Sequence, residues 1–88
     1  MVELNIVHWE HVETPSLYNR NLYRDIETDK YYLEVCDEDY GDYQYYYSND
    51  AADECDFNYI GYTNREGSVD SLKNQNIEIM KLDETVPT

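Results

Sequence analysis

The chain has 88 residues, a formal net charge of −14 from 20 acidic and 6 basic side chains, and an apolar fraction of 41% in which 11 residues are tyrosine. That length allows one domain, 1–88, with a modest core, and the aromatic and β-branched content excludes a disordered acidic tail. Repulsion between phosphate and a charge of −14 excludes direct nucleic-acid binding, because only Arg20, Arg24, Lys30, Arg65, Lys73 and Lys81 oppose it.

Periodicity favours strands. Leu4 to Val12 is β-branched and aromatic and ends before Pro15, which predicts a first strand. Leu17 to Ile26 is ambiguous, and the asparagines within it favour a strand or loop over a helix. Tyr31, Leu33 and Val35 alternate with Tyr32, Glu34 and Cys36, and Tyr43, Tyr45 and Tyr47 alternate with Gln44, Tyr46 and Ser48. Asp39-Tyr40-Gly41-Asp42 between them has turn chemistry, so the two runs predict a hairpin. Ser48 to Glu54 reads as a loop or one helical turn with Asp50 as N-cap. Phe57 to Tyr62 reads as a strand ended by Asn64-Arg65-Glu66-Gly67. Ser68 to Asn76 reads as a short helix capped by Ser68, and Ile77 to Leu82 as the last strand. The expected fold is mainly β (β or α+β): a small antiparallel sheet of four to five strands with one short helix near 68–76.

The charge is not evenly spread. Between Asp25 and Asp56 stand twelve acids, one base and seven tyrosines, which is −11 of the total. Such a density opposes compaction and exceeds what solubility requires, so an anionic interface is expected, its plain alternative being a solvated face. Side chains two apart on a strand are separated by about 6.7 Å, and duplex phosphates advance about 3.4 Å along each strand. Carboxylates on a hairpin thus imitate nucleic-acid charge spacing, and tyrosines add stiff anchors and cation–π faces. The expected partner-binding set is Glu34, Asp37, Glu38, Asp39, Tyr40, Asp42, Tyr43, Tyr45, Tyr46, Tyr47, Asp50, Asp53, Glu54 and Asp56.

Other chemistries fit less well. His8, His11, Cys36 and Cys55 are the right types for zinc, but no Cys-x₂-Cys pair exists and strand geometry sends residues 8 and 11 to opposite faces. Cys36 and Cys55 are expected as reduced thiols, with a disulfide open if their strands pair. Counting from Asp37 as an EF-hand loop puts Gly41 at position five, Asp42 at six and Ser48 at twelve, which fails the calcium pattern. No nucleophile–base pairing and no phosphate-cradling glycine pattern stands out, so neither an enzyme nor a cofactor is expected. Tyrosine sulfation would need a secretory route, and the sequence begins with neither a signal-type apolar run nor a membrane span; a cytoplasmic protein is expected.

In size, acidity and lack of catalytic motifs the chain resembles the small inhibitors that bacteriophages use against host defence: DNA-mimic, anti-restriction and anti-CRISPR proteins. The resemblance spans the chain by composition and rests on no motif. It implies a stoichiometric, non-enzymatic inhibitor that occludes the groove of a basic nucleic-acid-binding protein or nucleoprotein complex. Such inhibitors are often dimers, so a homodimer is compatible with it. Two rivals remain open: an assembly module whose partner does not bind nucleic acid, and a metal-dependent regulator using His8, His11 and the cysteines or the acidic loop.

Overall fold

A computed structural model describes residues 2–12, 20–37, 41–48, 57–64 and 67–84. Over these the chain is mainly β. In order it forms β1 (Val2–Asn5), β2 (Trp9–Val12), β3 (Arg20–Asp25), β4 (Lys30–Asp37), β5 (Asp42–Ser48), β6 (Asn58–Thr63), α1 (Val69–Asn74) and β7 (Ile79–Leu82). Strands β2 to β6 make a five-stranded antiparallel sheet in sequence order, and β1 pairs with β7 in a second, two-stranded sheet.

The expected hairpin is β4–β5, in register from Tyr31 opposite Ser48 to Asp37 opposite Asp42. Gly41 at its turn has φ +66°, a conformation glycine adopts without steric cost. The ambiguous stretch becomes strand β3, although residues 13–19 lie outside the described residues. The loop with the Asp50 cap also lies outside them.

One expectation is corrected. Leu4 to Val12 is not a single strand but two, belonging to different sheets. The Asn5 side chain accepts the Val7 amide at 3.0 Å, and the Trp9 amide donates to the Ile6 carbonyl at 3.1 Å. A side chain that bonds its own backbone offers an alternative to the ladder, so the strand turns a corner here. Ile6, at the corner, is fully buried. The strand count rises to seven among the described residues because of this break and of β3.

The core gathers Ile6, Trp9, Tyr23, Tyr45, Val69, Leu72, Met80 and Leu82. Both α1 and β7 therefore pack on the sheet face that carries Trp9, Tyr23 and Tyr45. The register shifts between Tyr45 and Tyr46, leaving Tyr45 opposite Gly61 and Tyr46 opposite Tyr59. This bulge lets Ile60 and Gly61 both serve the core face. The other face is not purely polar. Val12, Leu22, Leu33, Tyr46 and Tyr59 are successive cross-strand neighbours over all five strands.

The two sheets are tied where β7 leaves its pair. The Tyr62 amide donates to the Asp83 carbonyl and the Asp83 amide to the Tyr62 carbonyl, both at 2.9 Å. This brings backbone against Gly61, where an added Cβ would lie 2.5 Å from the Asp83 oxygen. Gly61→Ala is expected to lower stability by about 1–3 kcal/mol in urea unfolding, whereas Gly41→Asn at the open turn costs less. Equal midpoints for Gly61→Ala and the parent would contradict this account of the sheet junction.

Candidate functional site

The structure divides the expected partner-binding residues into three groups. Glu34, Asp42 and Tyr45 are buried, with relative exposures of 0%, 1% and 0%. Tyr43 and Tyr46 are half-buried, and Tyr47 is exposed. Glu38, Asp39, Tyr40, Asp50, Asp53, Glu54 and Asp56 lie outside the described residues, while Asp37 closes the hairpin register opposite Asp42. Glu34, Asp42 and Tyr45 are thus corrected: they are interior residues and not contact residues of the folded surface.

The reason for Glu34 is a set of donors that meet it inside. Its Oε1 accepts the Asn21 side-chain amide from β3 at 3.0 Å. Its Oε2 accepts the Tyr45 hydroxyl from β5 at 2.7 Å and the backbone amide of Val69, the first residue of α1, at 2.9 Å. A buried carboxyl is tolerable only with such satisfaction. Ser68 does stand at the N-cap with extended backbone, as expected, but its side chain makes no capping bond. Glu34, from a strand, caps the helix in its place. At the other end Asn76 adopts φ +61° and the Ile77 amide returns to the Leu72 carbonyl at 3.0 Å, which stops the helix.

Tyr23 packs beside this cluster. Its hydroxyl lies near Ser68 and the Asp70 amide, yet no hydrogen bond of ordinary geometry forms. Burial first, then the negative charges of Glu34 and Asp70, hold its pKa far above the usual tyrosine value. Burial also raises Tyr32, helped by Asp25 and Tyr47, and raises Tyr59, helped by Tyr46, Tyr62 and Asp42.

The exposed carboxylates among the described residues are Glu3, Glu10, Glu27, Asp29, Asp70, Glu78, Asp83 and Glu84. They belong to β1, β2, the β3–β4 turn, α1 and the two ends of β7, so this part of the charge is spread over several elements. His8 pairs with Glu27 at 3.2 Å and Arg24 with Asp29. Lys73 donates to the Trp9 carbonyl, joining α1 to β2. His11 leans its ring on Tyr23 at 5.4 Å.

Among the described residues no three His, Cys, Asp or Glu side chains are grouped to hold a metal ion. Cys36 is a half-buried free thiol, and Cys55 lies outside the described residues. No helix there is long and apolar enough to cross a membrane.

The sequence reading passed over one aromatic group. Trp9 stacks on Tyr32 at 4.1 Å and 17°, and Tyr32 is directly opposite Tyr47. The Tyr32–Tyr47 pairing follows from the hairpin turn alone; the Trp9–Tyr32 contact needs the strand order. Comparison with protein-family models, curated proteins and solved structures finds no match to this chain.

Two outcomes follow from the interior cluster. Glu34→Ala strands the Val69 amide and Asn21 in the core and is expected to cost about 3 kcal/mol, with faster amide exchange at the start of α1. Glu34→Gln costs less, because its amide and that of Asn21 can be turned to pair. Second, below pH about 10 the phenols are neutral in both states, but above it the unfolded chain releases protons that Tyr23 keeps when folded. Stability therefore falls as pH rises past 10, by about 1.4 kcal/mol per pH unit for each such tyrosine. Tyr23→Phe flattens that fall in urea titrations at pH 7 and above 10; an unchanged slope would remove Tyr23 from the account.

Proposed function

We propose that this chain is a non-enzymatic inhibitor that uses its anionic, tyrosine-bearing surface to occupy the positively charged nucleic-acid-binding groove of a partner protein. A host-defence nuclease or a CRISPR complex in the cytoplasm of the host cell is the kind of partner meant. One observation carries the reading: a net charge of −14 on 88 residues, in a chain whose described part is a registered antiparallel sheet. Two of the six cations are spent internally, Arg24 on Asp29 and Lys73 on the Trp9 carbonyl.

The contact set is narrower than composition suggested. Glu34, Asp42 and Tyr45 drop out, because they maintain the interior. The proposed contacts are Asp37 at the end of β4, Glu38, Asp39 and Tyr40 that follow it in sequence, the half-buried Tyr43 and Tyr46, the exposed Tyr47, and the acids Asp50, Asp53, Glu54 and Asp56 that follow β5 in sequence. Long-range attraction speeds association and is screened by salt over about 8 Å at physiological ionic strength.

A second reading, an assembly module with an apolar partner, draws on the half-buried Val12, Leu22, Tyr46 and Tyr59 of the face away from α1, where Leu33 is itself buried. Salt separates the two. Mimicry predicts that a captured partner is released by salt and by added duplex DNA or RNA, and that reversing Asp37, Glu38 and Asp39 to lysine slows association while leaving the fold intact. A partner that holds this chain and its nucleic acid together, or that binds the triple variant at the parent rate, would overturn mimicry.

A further inference from the structure

We infer that Tyr47, Tyr32 and Asp25 form an anchoring site for one cationic side chain of the partner, best filled by an arginine guanidinium. The inference rests on the proposed basic partner and specifies a point of contact for it.

Three observations converge on this end of the sheet. Tyr47 is 38% exposed, and its side chain has no hydrogen-bond or ring partner among the described residues. Tyr32, directly opposite, is held by the Trp9 indole stacked on it at 4.1 Å, so the aromatic floor is fixed before a guest arrives. Asp25 supplies charge. It stands opposite Lys30 in the β3–β4 register, two residues from Tyr32, so Asp25 and Tyr32 are diagonal neighbours on one face of the sheet.

Asp25 is also a carboxylate of this turn with no salt bridge among the described residues. Glu27 pairs with His8 and Asp29 with Arg24. Asp25 Oδ1 accepts the Glu27 and Thr28 amides at 2.9 and 3.3 Å, but Lys30, opposite it in register, forms no ion pair with it. A cation placed against Tyr47 therefore gains an exposed aromatic ring, with Tyr32 beside it and one negative charge nearby. Arginine suits this better than lysine, because its planar, weakly hydrated guanidinium stacks on a ring while its edge donates to a carboxylate.

The test uses the full chain and small probes. N-acetyl-arginine methylamide is titrated into the protein and followed by NMR, with the citrulline analogue as a neutral isostere and the lysine analogue as a second cation. Trp9 is the single tryptophan, so its indole N–H signal is assigned without ambiguity, and its stacking on Tyr32 couples it to this site. Saturable shifts at Trp9, Tyr32 and Tyr47 are expected with arginine, weaker ones with lysine, and at least roughly tenfold weaker binding with citrulline. Tyr47→Ala and Asp25→Asn are each expected to weaken arginine binding about fivefold to tenfold. Asp25→Asn keeps the oxygen that holds the turn, so it removes charge and not structure. Shifts spread evenly over the acidic surface, or parent affinity in Tyr47→Ala, would overturn the site. Equal binding of citrulline would overturn it too, in favour of neutral ring stacking. The probes involve no nucleic acid, so this result stands or falls separately from the competition experiment.

Discussion

Taking the Glu34 carboxyl out of water costs several kcal/mol, and the fold meets that cost by bringing donors from three elements to its two oxygens. Asn21 fixes β3 to β4, Tyr45 fixes β5 to β4, and the Val69 amide fixes α1 against the sheet. An unmatched donor at any of these points would be buried and unsatisfied, so the cluster specifies one register and one helix position. The position of α1 decides more in turn. Val69 and Leu72 fill the space over Tyr23 and Tyr45, and Lys73 reaches back to the Trp9 carbonyl of β2.

This dependence explains the composition. A chain with few aliphatic residues builds part of its core from tyrosine, and tyrosine brings a hydroxyl that must be placed. Tyr45 places its hydroxyl on Glu34; Tyr23 places its own at the start of α1 without a regular bond. Tyr32 solves the problem differently, leaving its hydroxyl side toward Asp25 and Tyr47 and packing its ring on Trp9. The core thus grades into a surface of the same residue type, and no sharp boundary separates structural from exposed tyrosines along β4 and β5.

That grading limits what the sequence discloses. The period-two alternation of β4 and β5, the turn at Gly41, the short helix with Val69 and Leu72 inward, and the final strand were all legible from local pattern. The orientation of the hairpin was not. Glu34 and Asp42 look like members of an acidic surface run, and burial of Glu34 depends on donors 11 to 35 residues away that no local pattern announces. The split of 4–12 into β1 and β2 was hidden for a related reason. Asn5 acts there through its side chain, and its effect on the Val7 amide outweighs the strand propensity of the residues around it.

The interior role of Glu34 also decides how an acidic interface on this scaffold must be read. Neutralising acids indiscriminately between Asp25 and Asp56 would remove a helix cap and a core acceptor along with surface charge, and lost binding would then report lost structure. Charge that acts on a partner has to come from carboxylates whose removal leaves the Glu34 cluster untouched. Asp25 meets this condition, because its structural duty is carried by one oxygen that asparagine retains, while it stands diagonal to Tyr32 in the β3–β4 register. The same strand pair therefore carries two separable kinds of acid: one whose carboxylate is consumed by the fold, and one whose charge the fold leaves available to a cation.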